Sequence, residues 1–179
     1  MAILNQRKAA SGNGGGLLQC RAARRAPAKS KRTFPSREGR KGFALLKAVL
    51  DTNVVMSAIF FGGDPRVVVR AAISRRIELV VTKAVLAEYR EVAERLSVAY
   101  PDVKYRRPLA LLESHLTLVR PASLPRTVCR DSDDDALLSC ALGGRAKIIC
   151  SGDDDLLSLD GYHGLEILTP RAFKNKYLS

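Results

Sequence analysis

The stretch from Lys47 to Met56, KAVLDTNVVM, constrains the fold more than any other part of the sequence. Its apolar run from Ala48 to Leu50 is typical of a short buried strand, and Asp51 ends that run before apolar residues resume at Val54. A strand that ends in a carboxylate and turns into a helix places that carboxylate at the carboxyl edge of a sheet. Ligands bind at this edge in open α/β folds, so Asp51 is the first candidate for a functional residue.

Further apolar runs alternate with helical patterns along the rest of the chain. The runs predict five strands, at residues 45–51, 77–81, 116–119, 147–150 and 165–168. Helices are predicted at 53–60, from Pro65 to about 75, from a Thr82 cap to about 97, at 109–115, at 131–142, after Asp153 and from Pro170. This alternation favours a three-layer α/β/α sandwich around a mainly parallel five-stranded sheet.

Glycine and proline set the predicted boundaries between these elements. Residues 61–65 are predicted to form a loop, and Pro101 and Pro108 are expected to interrupt the chain after the long helix. The Gly143-Gly144 pair is expected to stop the helix that begins near Asp131.

The positive charge of the chain lies mostly in its first part. Of the net charge of +12, residues 1–47 contribute +11, from twelve basic residues and one acid, Glu38; the remainder carries 18 basic and 17 acidic residues. Residues 1–44 show no helical or strand period and too little apolar surface to offset the entropy of ordering. We therefore predict a disordered extension at 1–44 and a folded domain at 45–179.

Three interpretations of the extension remain open. It is a nucleic-acid-binding arm, an organellar transit peptide, or a passive segment translated from an early start; the third is favoured because the first strand follows almost at once. The extension does not contain the apolar region that a secretory signal requires, and no apolar run in the chain reaches the length of a membrane span. The expected location is the cytoplasm.

The cysteines and histidines argue against a zinc site. None of Cys20, Cys129, Cys140 and Cys150 pairs at metal-ligand spacing, and His115 and His163 lie far apart in sequence. Cys140 and Cys150 sit in apolar runs, so both are expected to be reduced and buried.

Acids at three further places are predicted to converge on Asp51. Asp153 follows the strand at 147–150 as Asp51 follows the first strand, so both should lie at the same sheet edge. Glu88 lies on the margin of the apolar stripe of its helix, whereas Glu91 and Glu94 point away from that stripe. Each acid alone is better explained as a solvated surface residue.

The fourth group of acids lies between Asp131 and Asp135, at the start of a predicted helix. Acids in a first helical turn cap free N–H groups and complement the helix dipole, but four in five residues exceed that need. A convergent set of carboxylates needs a cation to stay ionised, and oxygen ligands suit Mg²⁺ or Mn²⁺. Such ions activate water in phosphodiester hydrolysis.

In its motifs the chain from about Leu46 to Leu178 resembles the PIN-domain nucleases, and among them the toxin components of toxin–antitoxin systems. The motifs that carry the resemblance are LDTNVVMSA, the Leu-Ala-Glu-Tyr of the long helix, RDSDDDALLSCAL, and IICSGDDDLL followed by ILTPRAF. Each motif is short, but their order and spacing together are highly specific.

The resemblance implies an acidic quartet that holds Mg²⁺ or Mn²⁺ and cleaves RNA. Its members would be Asp51, Glu88, Asp135 and Asp153, with Asp155 as an auxiliary ligand and with Asn53 and Ser151 as supporting residues. Asp134 is the substitute for the third acid, whose register within residues 133–135 is open. The resemblance further implies a cognate antitoxin and a homodimer or higher assembly.

Three rival functions compete with this endoribonuclease hypothesis. A haloacid-dehalogenase-type phosphatase needs a second aspartate at the position of Asn53, and a receiver domain needs a lysine where Leu168-Thr169-Pro170 follows the last strand. The third rival is a catalytically inactive PIN-like domain that binds RNA or a partner.

Overall fold

The structure, a computed structural model, describes residues 45–124 and 132–179, and for Ser132 and Asp133 the backbone alone. The predicted extension at 1–44, with Cys20, lies outside the described residues, as do Cys129 and Asp131. The predictions for these parts of the chain therefore stay predictions.

Five short strands form one sheet in the order β3-β2-β1-β4-β5, and all four neighbouring pairs are parallel. The strands are β1 (Lys47–Leu50), β2 (Glu78–Val81), β3 (Leu116–Leu118), β4 (Ile148–Cys150) and β5 (Glu166–Leu168). The central strands are buried on both faces, as a parallel sheet covered by helices requires. The predicted α/β class is confirmed.

Helices connect the strands, and α3 and α7 start where the sequence predicts. They are α1 (Thr52–Phe60), α2 (Gly63–Ile73), α3 (Lys83–Ala99), α4 (Arg106–Glu113), α5 (Ser132–Gly144), α6 (Asp154–Leu157), a 3₁₀ turn (Tyr162–Gly164) and α7 (Pro170–Tyr177). Thr82 caps α3 by accepting from the Val85 N–H, and Pro170 opens α7 after a Thr169 cap.

The order of the strands accounts for the three layers. The chain moves outward from β1 to β2 to β3 and then returns past β1 to β4, so the direction of the crossover reverses. Since parallel crossovers are right-handed, α5 lies on the face opposite α1 and α2, and α3 contacts both α1 and α5. Helix α5 accordingly packs across β2, β1 and β4, while α2 packs against α1, α4 and α7.

Helix α5 ends at the predicted glycine pair, but two residues later than expected, because both glycines belong to its last turn. A Cβ atom at Gly143 would lie 2.0 Å from the Arg120 carbonyl oxygen and 2.9 Å from the Ala122 nitrogen. A Cβ atom at Gly144 would lie 2.6 Å from Val80 Cγ2. The glycines therefore let the end of α5 approach the chain that leaves β3.

Two helix starts that were predicted from the positions of prolines are wrong. Helix α2 begins at Gly63, inside the predicted loop, and α4 begins at Arg106, so that Pro108 lies in its first turn. Proline is tolerated there because first-turn N–H groups have no partner within the helix.

Cys140 and Cys150 are fully buried and form no disulfide, which confirms their predicted place in the core. In the described ranges, no helix combines the length and the apolar character that crossing a membrane requires.

Candidate functional site

Asp51 lies at the point where the strand order reverses. The chain leaves β1 toward β2 but leaves β4 toward β5, so a crevice forms between the carboxyl ends of β1 and β4. Leu50 and Cys150 are paired in register, so Asp51 and Ser151 follow side by side. The prediction that strands one and four are neighbours is confirmed.

The Asp51 carboxylate is 6% exposed, and both of its oxygens accept hydrogen bonds. Oδ1 accepts from the Asn53 N–H at 2.9 Å, which makes Asp51 the N-cap of α1, and Oδ2 accepts from Ser151 Oγ. The negative charge thus faces the positive end of the α1 dipole. Sequence and fold together hold this carboxylate in one orientation.

A chain of hydrogen bonds links Asp51 to the acids that follow β4. Ser151 Oγ also accepts from the Asp153 N–H at 3.0 Å, and Asp153 Oδ1 accepts from the Asp155 N–H at 2.8 Å as the N-cap of α6. Ser151 is fully buried, whereas Asp153 and Asp155 are exposed. The Asn53 side chain is exposed too, and its contribution is the backbone N–H.

Glu88 is half-buried in the second turn of α3, as its margin position predicts. The buried residues of this helix are Val85, Tyr89 and Ala93, and the exposed ones include Glu91 and Glu94. The predicted phase of the helix is therefore confirmed.

The neighbour of Glu88, Tyr89, is a buried polar residue whose contact the sequence did not reveal. Its hydroxyl donates to the Leu50 carbonyl oxygen at 2.5 Å. Burial raises the pKa of Tyr89 well above its usual value, and the nearby Cys140, Asp51 and Glu88 raise it further. The signal in the sequence was a tyrosine in an apolar stripe, because a buried tyrosine hydroxyl needs a partner.

Asp134 and Asp135 are half-buried in the first turn of α5. Because α5 leads into the start of β4, it begins toward the carboxyl edge of the sheet, where Asp51 lies. Helix α5 also packs against α3, which carries Glu88.

Within residues 45–124 and 132–179, no three side chains of Asp, Glu, His or Cys come together as a group that could hold a metal ion. The quartet of Asp51, Glu88, Asp135 and Asp153 thus stays a prediction.

The oxygen atoms around Asp51 are chemically suited to bind a hard divalent cation. The ion pairs among the described residues involve neither Asp51 nor Asp153. Thr52, next to Asp51, is 3% exposed, and its Oγ1 has no hydrogen-bond partner among the described residues. Carboxylate and hydroxyl oxygens are the ligands that Mg²⁺ and Mn²⁺ prefer, so the residues present are compatible with such an ion.

The strand order of this parallel sheet reverses beside a buried carboxylate. This arrangement is typical of the class of α/β proteins that bind ligands at the carboxyl edge of the sheet. Within that class, the profile of the PIN domain family matches residues 47–155, which is more than half of the chain. The chain belongs to the PIN-domain family, whose members are generally nucleases. No curated protein matches the sequence.

Proposed function

We propose that this protein is a metal-dependent endoribonuclease that acts as the toxin of a toxin–antitoxin pair. The observation that carries the proposal is the Asp51 carboxylate: it is buried at the reversal point of the sheet and oriented by two donors. Membership of a family whose members are generally nucleases supports a role for that carboxylate in phosphodiester hydrolysis.

Four acids would hold Mg²⁺ or Mn²⁺, namely Asp51, Glu88, Asp135 and Asp153, with Asp155 as auxiliary and Asp134 as the substitute third acid. Such an ion activates water and stabilises the leaving oxygen of a phosphodiester. Ser151 Oγ and the Asn53 N–H donate hydrogen bonds to the two carboxylate oxygens of Asp51 and so hold them in place.

The choice of RNA and of a toxin role is supported by the order and spacing of the LDTNVVMSA, RDSDDDALLSCAL and IICSGDDDLL motifs. A cognate antitoxin and assembly into a homodimer or larger oligomer belong to the same proposal. The alternative, a PIN-like domain that binds RNA without cleaving it, is an outcome of the experiment below.

The test is the initial rate at which the full chain cleaves RNA at saturating Mn²⁺, followed by sequencing of the products. Asp51→Asn should lower the rate by roughly two orders of magnitude or more, since it removes a ligand and not merely a supporting contact. Glu88→Gln should lower the cleavage rate strongly but leave residual activity. Glu91→Gln is the matched control, because Glu91 is exposed on the same helix, and it should cleave at the wild-type rate.

Wild-type rates in Asp51→Asn would exclude the nuclease function, and RNA binding without cleavage in the wild type would favour the inactive alternative. The toxin role has a separate readout. Induced expression of the wild-type chain in a bacterial host should arrest growth, whereas expression of Asp51→Asn should not. Equal growth of the two strains would contradict the toxin role.

A further inference from the structure

The sheet opens between β1 and β2 at the edge where Asp51 lies. Pairing of β1 with β4 continues to the last residue, Leu50, whereas pairing with β2 covers only Lys47 and Ala48. The strands therefore separate on one side of Asp51 and stay joined on the other.

This separation leaves one backbone carbonyl without its strand partner. Carbonyls alternate in direction along a strand, and the Asp51 N–H points to β4, where it donates to the Cys150 carbonyl at 3.0 Å. The Leu50 carbonyl therefore points toward β2. Continuing the register would bring it to the N–H of Thr82, but Thr82 already caps α3, where the chain has left the strand.

Tyr89 occupies this opening from the second turn of α3. Its side chain is 2% exposed, and its hydroxyl donates to the Leu50 carbonyl oxygen at 2.5 Å. A buried carbonyl without a partner is costly, so the tyrosine supplies the hydrogen bond that β2 does not.

The peptide unit between Leu50 and Asp51 is consequently held from both sides. Tyr89 binds its carbonyl, and Cys150 accepts from its N–H. This peptide unit joins Leu50 to Asp51, and Glu88 directly precedes Tyr89 in the chain. One hydrogen bond thus ties together the two elements that bear two of the proposed metal-binding acids.

We propose that Tyr89 is a positioning residue, whose hydroxyl fixes the Leu50–Asp51 peptide and the distance between α3 and β1, and through them the placement of Asp51 and Glu88. The metal-related part of this proposal rests on the proposed function. The structural part, the restraint on the peptide, does not.

The experiment compares Tyr89→Phe with Tyr105→Phe in the full chain. Tyr105 is the matched control because it is also buried and its hydroxyl also makes a hydrogen bond, to Glu94, while neither residue belongs to the proposed site. Both variants keep the ring and lose the hydroxyl, so both should lower Tm slightly; Tyr89→Phe loses one hydrogen bond, and Tyr105→Phe loses the bond to Glu94 and a second one from Arg106 Nε at 3.3 Å. Hydrogen exchange of the Asp51 amide should accelerate roughly tenfold in Tyr89→Phe and stay unchanged in Tyr105→Phe.

Two further readouts concern the site itself. Tyr89→Phe should weaken Mn²⁺ binding, measured by calorimetry, and should lower kcat for RNA roughly tenfold or more with KM little changed, because misplacement of site groups slows chemistry. Tyr105→Phe should leave both at wild-type values.

The proposal is overturned if Tyr89→Phe matches Tyr105→Phe in Asp51 exchange, Mn²⁺ affinity and kcat, since Tyr89 would then serve stability alone. If the wild type neither binds Mn²⁺ nor cleaves RNA, the proposed function fails, and the exchange experiment still decides whether Tyr89 restrains the peptide.

Discussion

At the scale of single residues, the two core thiols lie close to the candidate site yet should be chemically inert. Burial, and to a lesser extent the charge of Asp51, raises the pKa of Cys150 to about 12, and burial raises the pKa of Cys140 to about 11. The thiolate is the reactive form, and it accumulates only as the pH rises toward these values.

We therefore predict that a thiol reagent at pH 8 leaves Cys140 and Cys150 unmodified in the folded protein, where roughly one thiol in a thousand or fewer is ionised. The measurement uses a Cys20→Ser, Cys129→Ser background, so that the signal comes from these two residues, with unfolded protein as the positive control. Rapid modification of Cys150 under native conditions would contradict the burial of β4.

At the scale of elements, the end of α5 is fixed by close backbone packing. Gly143 is the residue at which α5 meets the chain leaving β3, and the hydrogen bonds from the Ala122 N–H to the Ser139 carbonyl and from Ser139 Oγ to the Ala122 carbonyl hold the two segments together. A side chain at Gly143 cannot be accommodated without moving backbone.

Gly143→Ala should destabilise the fold by roughly 2 to 4 kcal/mol, because the added Cβ would meet the Arg120 carbonyl. Gly152→Ala is the control, because its Cβ would have no heavy atom within 4 Å, and it should be neutral or slightly stabilising. The measurement is urea unfolding of both variants. A Gly143→Ala protein as stable as Gly152→Ala would show that the helix end tolerates displacement.

At the scale of the whole molecule, a metal ion that binds only the folded state stabilises the fold. We predict that Mn²⁺ at one hundred times its dissociation constant adds about 2.7 kcal/mol to the free energy of unfolding of the wild type. Asp51→Asn should show little of this gain and Glu91→Gln all of it. A wild-type melting curve that does not move with Mn²⁺ would contradict the proposed metal site.

The sequence predicted the parts of this molecule that depend on local pattern. An apolar run ended by an acid located β1 with Asp51 and β4 with Asp153, and the helical period placed Glu88 half-buried on α3.

Contacts between distant segments could not be predicted in this way. The role of Tyr89 depends on where β1 and β2 separate, and that of Gly143 depends on Arg120, which is distant in sequence. The preference of glycine for helix ends predicted the end of α5 to within two residues, but it did not predict the close approach of Gly143 to Arg120.

The central position of β1 has a consequence for the order of events during synthesis. Strands β2 and β3 follow β1 along one side of the sheet, but the partner on the other side is β4, and the bond between Asp51 and Ser151 spans 100 residues. At 5 to 20 residues per second, a ribosome needs about 5 to 20 s to make that interval. During this time the nascent chain presents β1 as an unpaired apolar edge, and the crevice beside Asp51 does not yet exist.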